Sequence, residues 1–252
     1  MVSGKRKPIY LMFITNLTKE QKTLRRRILE ITYKAHTSHL GSCLSAIDAI
    51  EAMYIVKKKD ERFVLSNGHA GVALYAVLEK HKLLRNPKIG SNLNIHPDRN
   101  LKNGIFVSTG SLGQGLPIAL GIALSNRNKN VYCMISDGET SEGSIWEALR
   151  IGIDKQVENL KIVLNANGWG AYDPIDLSRL YKRIESFGYN PLIAKGHNIK
   201  KLITALRKKA HKKPSFIFAK TTVEQLPFLE KQDAHYYVMN KEDFEEGIKL
   251  LT

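Results

Sequence analysis

Cysteine is almost missing from this chain of 252 residues: Cys43 and Cys133 are the only two, and they stand far apart. That excludes a disulfide framework and any Cys-x-x-C motif, and it agrees with a reducing compartment. Long apolar runs are missing as well. The stretch Ile9 to Ile14, behind Lys5, Arg6 and Lys7, is shorter than the ~7–15 residues of a signal core and has no small-residue cleavage site after it. The expectation is a cytoplasmic protein with no membrane association. Acid is scarce, with 24 aspartates and glutamates against 39 lysines and arginines, a net charge of +15. The basic runs Arg25-Arg26-Arg27, Lys57-Lys58-Lys59 and Arg207 to Lys213 carry no interleaved aromatics and no nucleic-acid motif, so they read as solvated helix faces or a docking surface, with no nucleic acid partner. No internal repeat, low-complexity tract or Gly-Lys-Ser/Thr phosphate loop occurs.

What is present is ordinary globular material, 43% hydrophobic and 25% charged, enough for one sizeable domain over residues 1–252. Thr18-x-x-Gln21 has capping-box spacing, and Leu24, Ile28, Ile31 and Ala35 continue a helix to about His36. Ser45 is read as the cap of a second helix, Arg62 to Leu65 as a buried strand, and residues 66–71 as a strand-to-helix turn. A helix through Leu84 precedes the polar stretch Arg85 to Asn103, whose length marks it as a lid or site wall. Beyond it strands and helices alternate: strand Val131–Ile135, a helix opened by Ser144-x-x-Glu147, strand Leu160–Leu164, helix Leu177–Phe187, strand Tyr189–Ile193, helix Ile199–Ala210, strand Ser215–Ala219, and a last helix from about Lys241. This pattern predicts an α/β fold, a doubly wound, mainly parallel sheet with helices on both faces. Ligands in such sheets bind outside the carboxyl ends of the strands.

Three groups of residues fall there. Gly110-Ser111-Leu112-Gly113-Gln114-Gly115 opens a helix and reads either as an anion cradle or as a simple helix-entry turn. Its glycine order, G-x-x-G-x-G, differs from the dinucleotide fingerprint, although Asp137 after the next strand keeps a nicotinamide-binding alternative open. Asp137-Gly138-Glu139-Thr140-Ser141-Glu142-Gly143 and Asn167 close neighbouring strands, bringing two oxygen ligands together as a Mg²⁺ site would need; taken singly, each is also a plain turn. Finally His39, His69, His96 and His235 all fall in loops or helix starts, where they could serve a phosphate or shuttle protons.

Ser66-Asn67-Gly68-His69-Ala70, Ser108 to Gly115, Asp137-Gly138-Glu139 to Glu142-Gly143, and Asn167 at its spacing together resemble the thiamine-diphosphate-binding segment of transketolase, over nearly the whole chain. His96-Pro97 and the Leu-Gly-Gln-Gly loop favour transketolase over the related dehydrogenases. The resemblance implies thiamine diphosphate and Mg²⁺ as cofactors. Asp137, Asn167 and the carbonyl of Trp169 would hold the metal. His69, Gly138, Asn167 and His235 would contact the diphosphate, with Glu139, Gly113 and Gln114 among the cofactor-binding residues and Gly115 meeting the aminopyrimidine through its backbone. His39, His69, His96 and His235 would surround the reacting centre, and Glu142 would belong to a proton network at the subunit interface.

The sequence departs from the family at Thr37-Ser38-His39-Leu40-Gly41, at Asn165, where the family carries an acid, and at Lys220 to Pro227, which bears on where His235 goes. The resemblance covers only the first of the family's domains, and the expectation is that the pyrimidine-binding and C-terminal domains are absent from this chain. The resemblance therefore implies the N-terminal subunit of a split transketolase, working with a C-terminal subunit in an α₂β₂ assembly to move a two-carbon ketol unit between sugar phosphates. A basic surface at His96 to Arg99 and Lys102 suggests a phosphorylated substrate. The alternatives are another carboligase subunit, deoxyxylulose-phosphate-synthase-like or specific to another sugar pathway, and a non-catalytic cofactor-binding or interaction module.

Overall fold

A computed structural model describes residues 9–252; Lys5, Arg6 and Lys7 lie outside the described residues. Five parallel strands, β1 (Arg62–Leu65), β2 (Val131–Ser136), β3 (Leu160–Ala166), β4 (Leu192–Lys195) and β5 (Ser215–Lys220), form one sheet in the order β1-β2-β3-β5-β4. Helices α1 (Ile9–Thr15), α2 (Lys19–Ala35), α3 (Leu40–Val56), α4 (Gly71–Lys80), α8 (Ile199–Arg207) and α9 (Lys241–Leu250) pack one face. Helices α5 (Gly115–Ser125), α6 (Gly143–Asp154) and α7 (Leu177–Ser186) pack the other. The two-faced parallel sheet expected from the alternation is the fold. Strands β2 and β3 are buried along their whole length, as a sheet covered on both sides requires.

The capping box at Thr18 forms, Thr18 Oγ1 accepting from the Gln21 N–H at 3.3 Å and Gln21 Oε1 from the Thr18 N–H at 3.1 Å. Elsewhere local signals mislead. Helix α3 starts at Leu40 with His39 at its N-cap, not at Ser45, whose hydroxyl donates to the Ser42 carbonyl within the helix. Ser144 does not cap α6 either; Glu142 occupies that position, and the Ser144 hydroxyl donates to the Gly113 carbonyl at 2.9 Å. Strand β4 lies three residues later than expected, because Tyr189 is buried with its hydroxyl donating to the Leu149 carbonyl at 2.9 Å. Helix α4 ends at Lys80, short of Leu84.

The basic triplet on α2 is not a solvated face throughout. Arg25 is buried and makes a two-pronged ion pair with Asp48 on α3, its Nη2 at 2.6 Å and Nη1 at 3.2 Å from the two carboxylate oxygens. Burial alone would raise the Asp48 pKa, but Arg25 and His197 overcome it and hold the carboxyl well below the usual carboxylate range. Arg25 Nε also donates to Gln225 Oε1, and Gln225 Nε2 donates to the Leu44 and Thr222 carbonyls. This network fixes the segment that leaves β5 and leads to His235.

Candidate active site

A cavity of about 170 Å³ opens at the carboxyl ends of β1, β2 and β3. Four segments bring the histidines to it: the start of α3 carries His39, the turn after β1 His69, the long loop before α5 His96, and the 3₁₀ turn Lys231–His235 the last. Their rings pack as a chain, His39 lying 5.8 Å from His69 and 5.7 Å from His96, and His69 lying 6.3 Å from His235, centroid to centroid. Burial lowers the His39 pKa to about 4 and the His69 pKa to about 3, and in both the neighbouring imidazoles add to the shift. Burial also lowers that of His235. At neutral pH these three are neutral, each with one donor and one acceptor nitrogen.

The His235 tautomer follows from its partners. Its Nε2 faces the Trp169 carbonyl at 3.3 Å, which can only accept, so Nε2 carries the proton and the Ser42 hydroxyl donates to Nδ1 across 2.7 Å. The altered loops therefore still deliver their histidines. His39 sits in a left-handed conformation at φ 69°, its N–H donating to the His235 carbonyl at 2.7 Å, and Val223, Gln225 and Leu226 are buried below. Asn165 has a local reason to be an amide: its Nδ2 donates to Ser45 Oγ while its Oδ1 accepts from the Thr221 hydroxyl, and a carboxylate could not make the first bond.

Asp137 and Asn167 line the same cavity as Trp169 and Gly138. The Asp137 carboxylate is 0% exposed, and its hydrogen-bond partners are the backbone N–H groups of Gly138, at 3.1 Å, and Gly168, at 2.7 Å. Burial pushes its pKa up to about 7 against those N–H groups. A buried carboxylate without a cationic side chain, set beside an amide oxygen and a backbone carbonyl, is the hard-oxygen donor set of a divalent cation such as Mg²⁺, with phosphate oxygens completing the shell. The residues present thus fit the metal. No cluster of three or more histidine, cysteine or acidic side chains suited to another metal site occurs among the described residues.

The structure does not bring every expected residue to the cavity. Glu139 is buried beneath it as a clamp, accepting from the Ser66 hydroxyl at 2.6 Å, the Gly113 N–H at 2.9 Å and the Ser136 N–H at 3.0 Å. Gly113, Gln114 and Gly115 lie outside the lining; from the glycine loop it is Gly110 and Leu112 that reach it. Ser42, Ala171 and Tyr236 also line it and carried no sequence signal beyond proximity to a histidine or to Trp169. Glu142 is exposed at the start of α6, and Arg99 is exposed outside the lining.

The glycines at the loop's end serve packing. A Cβ on Gly115 would stand 2.4 Å from Ser66 Cα, backbone that cannot yield, whereas one on Gly121 in the same helix would meet nothing within 4 Å. Gly115→Ala is accordingly expected to cost about 1–3 kcal/mol in urea unfolding. Gly121→Ala is expected to gain about 0.5–1 kcal/mol, the helix-propensity difference. Equal effects of the two would refute the close approach of α5 to β1.

A parallel α/β sheet with an acid, an amide and four histidines gathered at its strand ends defines an α/β domain with a candidate ligand site at the carboxyl ends of its strands. The family model described as "Transketolase, thiamine diphosphate binding domain" matches residues 18–247, and the chain belongs to that family. It is 37% identical to human transketolase over 225 residues, 79% of this chain and 36% of the relative. The chain thus spans about a third of the length of the full transketolases it matches. It is 29% identical over 271 residues to an apulose-4-phosphate transketolase subunit of Phocaeicola vulgatus, covering 96% of this chain and 95% of that one. The transketolase of Campylobacter jejuni superposes with a TM-score of 0.78 at 24% identity, over 98% of this chain and 43% of its own, which shows the shared fold. No helix among the described residues is long and apolar enough to cross a membrane.

Proposed function

We propose that this chain is the cofactor-binding subunit of a two-chain transketolase, holding thiamine diphosphate through Mg²⁺ and, with a partner subunit that supplies the pyrimidine-binding domain, transferring a two-carbon ketol unit between sugar phosphates. The observation that carries the reading is the buried Asp137 carboxylate beside Asn167 and the Trp169 carbonyl, facing a cavity ringed by four histidines. The split arrangement rests on the Phocaeicola vulgatus relative, which is itself named as one subunit of its enzyme and is matched over 95% of its length.

Asp137, Asn167 and the Trp169 carbonyl would ligate the metal, and His69, Gly138, Asn167 and His235 would face the diphosphate. Thiamine diphosphate, when bound, supplies the nucleophilic carbon and the electron sink for breaking and making a carbon–carbon bond. The chain's own residues orient and move protons. His39, His69 and His96, which line the same cavity, would donate to and accept from sugar hydroxyls, and burial keeps His39 and His69 neutral so that each can do both. His235, fixed by Ser42 and Trp169, is held in one tautomer with Nε2–H toward the metal-binding carbonyl.

Two features support a partner. Helix α5 has no charged residue from Gly115 to Ser125, yet Ile118 is 40% exposed and the Gly121 face is open. Glu142 stands exposed beside the same helix. We assign Glu142 to the proton network at that interface. Isothermal titration of thiamine diphosphate into the purified chain, with Mg²⁺ and with EDTA, is expected to show binding that requires Mg²⁺. Ketol transfer from a ketose phosphate to an aldose acceptor is expected only after the partner subunit is added. Absence of binding with Mg²⁺, with and without the partner, would overturn the reading.

A further inference from the structure

Trp169 lies between two glycines, in the turn that follows β3. The Ile175 N–H donates to the Gly168 carbonyl at 2.8 Å and the Gly170 N–H to the Asp173 carbonyl at 2.9 Å, closing a small loop. Gly168 takes a left-handed φ of 88°, and a Cβ on Gly170 would stand 3.0 Å from the Asp173 carbonyl oxygen. The far end of the loop is open to solvent, with Tyr172 85% exposed. A peptide bounded by glycines swivels at little steric cost, and swivelling would turn the Trp169 carbonyl out of the cavity.

Three side chains from one short segment oppose that motion. From the 3₁₀ turn Lys231–His235 and the residue after it, His235 Nε2 reaches the Trp169 carbonyl at 3.3 Å, and Gln232 Nε2 donates to the Ala171 carbonyl at 2.9 Å. The Tyr236 hydroxyl donates to the same Ala171 carbonyl at 2.6 Å. The Trp169 C=O and the Gly170 N–H are the two ends of one rigid peptide plane. Asp173 holds its N–H end and His235 its C=O end, while the two donors on Ala171 fix the chain on the far side of Gly170. The segment that carries these donors is itself anchored on the start of α3. The His39 N–H donates to the His235 carbonyl at 2.7 Å, and Ala234 packs so closely on Gly41 that a Cβ there would stand 2.6 Å from its own.

We propose that Gln232 and Tyr236 are positioning residues for the metal: together they latch the Trp169–Ala171 turn, so that the Trp169 carbonyl keeps its aim into the cavity. The inference rests on the reading of that carbonyl as a metal ligand. A carbonyl oxygen has two lone pairs, so it can accept from His235 with one and face a cation with the other, but only while its peptide plane is held. The demand differs between cations. Mg²⁺ requires a near-ideal octahedron, whereas Ca²⁺ tolerates looser and more variable oxygen shells. Releasing the latch should therefore cost Mg²⁺ affinity and spare most of the affinity for Ca²⁺, a selectivity that general loosening of the fold would not produce.

The test titrates Mg²⁺ and, separately, Ca²⁺ into the full chain with thiamine diphosphate in excess, by calorimetry against protein-free blanks. Tyr236→Phe and Gln232→Leu each leave one donor on the Ala171 carbonyl and are expected to weaken Mg²⁺ by about threefold. The double variant is expected to weaken Mg²⁺ by about tenfold or more and Ca²⁺ by no more than about threefold. Tyr172→Phe removes an exposed hydroxyl from the same turn and is expected to match wild type. Neither Gln232 nor Tyr236 is buried, so all these variants should keep the wild-type melting curve. In the metal-free chain, hydrogen exchange at the Gly170 amide is expected to quicken by about tenfold in the double variant, which reads the latch without any cofactor. Equal losses for Mg²⁺ and Ca²⁺ would reduce the contacts to ordinary packing, and Mg²⁺ binding by the double variant at wild-type strength would show that the carbonyl needs no latch. Either result, or unchanged exchange at Gly170, overturns the proposal while the metal site stands. A wild-type chain without Mg²⁺-dependent binding, with and without the partner subunit, would instead overturn the metal reading itself, and the proposal with it.

Discussion

Asp137→Asn is expected to abolish Mg²⁺-dependent thiamine diphosphate binding while leaving the metal-free chain at least as stable as wild type at pH 8. The loss of affinity should reach about a hundredfold or more, close to 3 kcal/mol, because the only carboxylate among the expected metal ligands goes. The stability side follows from burial. Moving the Asp137 pKa from 3.8 to about 7 corresponds to a native-state penalty of about 4 kcal/mol at pH well above 7. Asparagine removes that charge but turns an NH₂ group toward one of the two backbone donors, Gly138 N–H or Gly168 N–H, at a cost of about 1–3 kcal/mol. The sign with pH is fixed. Between pH 4 and 7 the native state binds the proton that the unfolded chain has released, so the contribution of Asp137 to wild-type stability falls as pH rises through this window. The variant lacks this term. Its stability relative to wild type, from urea unfolding in EDTA, should therefore climb by about 2.5 kcal/mol from pH 5 to pH 8. A variant that still binds the cofactor within a few-fold would remove Asp137 from the metal site.

The same residue shows why part of the site was legible in sequence. Asp137 and Asn167 stand at the carboxyl ends of adjacent strands, and strand ends can be read from apolar runs even when their limits are a residue or two out, as at β3. The histidines were legible as loop residues, but their convergence depends on folding. His235 reaches the cavity because Gln225 and Arg25 hold the preceding chain and Ser42 receives the ring. Helix α3 hid its start for a related reason: from Leu40 to Tyr54 it is buried all round, so no polar face marks its first turn, and Ser45 mimicked a cap. In the glycine loop the sequence singles out glycines, yet Gly113 and Gly115 press against Glu142, Ser144 and Ser66 while Leu112 faces the cavity. A glycine marks close approach of backbone, and only the fold says to what. The clamp at Glu139 was hidden likewise, since an acid in an Asp-Gly-Glu turn looks like a ligand until its three donors are seen.

Ile118→Glu is expected to separate assembly from folding. Helix α5 is uncharged from end to end, and an apolar helix that keeps its outward face in water is a face awaiting cover. At 40% exposure Ile118 contributes little to the monomer's interior, so the variant's unfolding free energy should stay within about 0.5 kcal/mol of wild type. A charge buried without a partner at the centre of an apolar contact is another matter, and association should weaken by about a hundredfold or more. Sedimentation velocity of the chain with and without its partner subunit reads this directly, and thiamine diphosphate titration into the variant alone checks that the cavity is intact. Glu142 lies beside this face, exposed in the single chain. If α5 closes against another chain, Glu142 is enclosed with it, and its ionisation becomes a property of the assembly: a carboxylate desolvated at an interface must pair or share a proton. Glu142→Gln should therefore leave cofactor binding by the isolated chain unchanged and lower turnover only in the assembled enzyme. Assembly of Ile118→Glu at wild-type affinity would mean that α5 faces solvent in the working protein, and the assignment of Glu142 would fall with it.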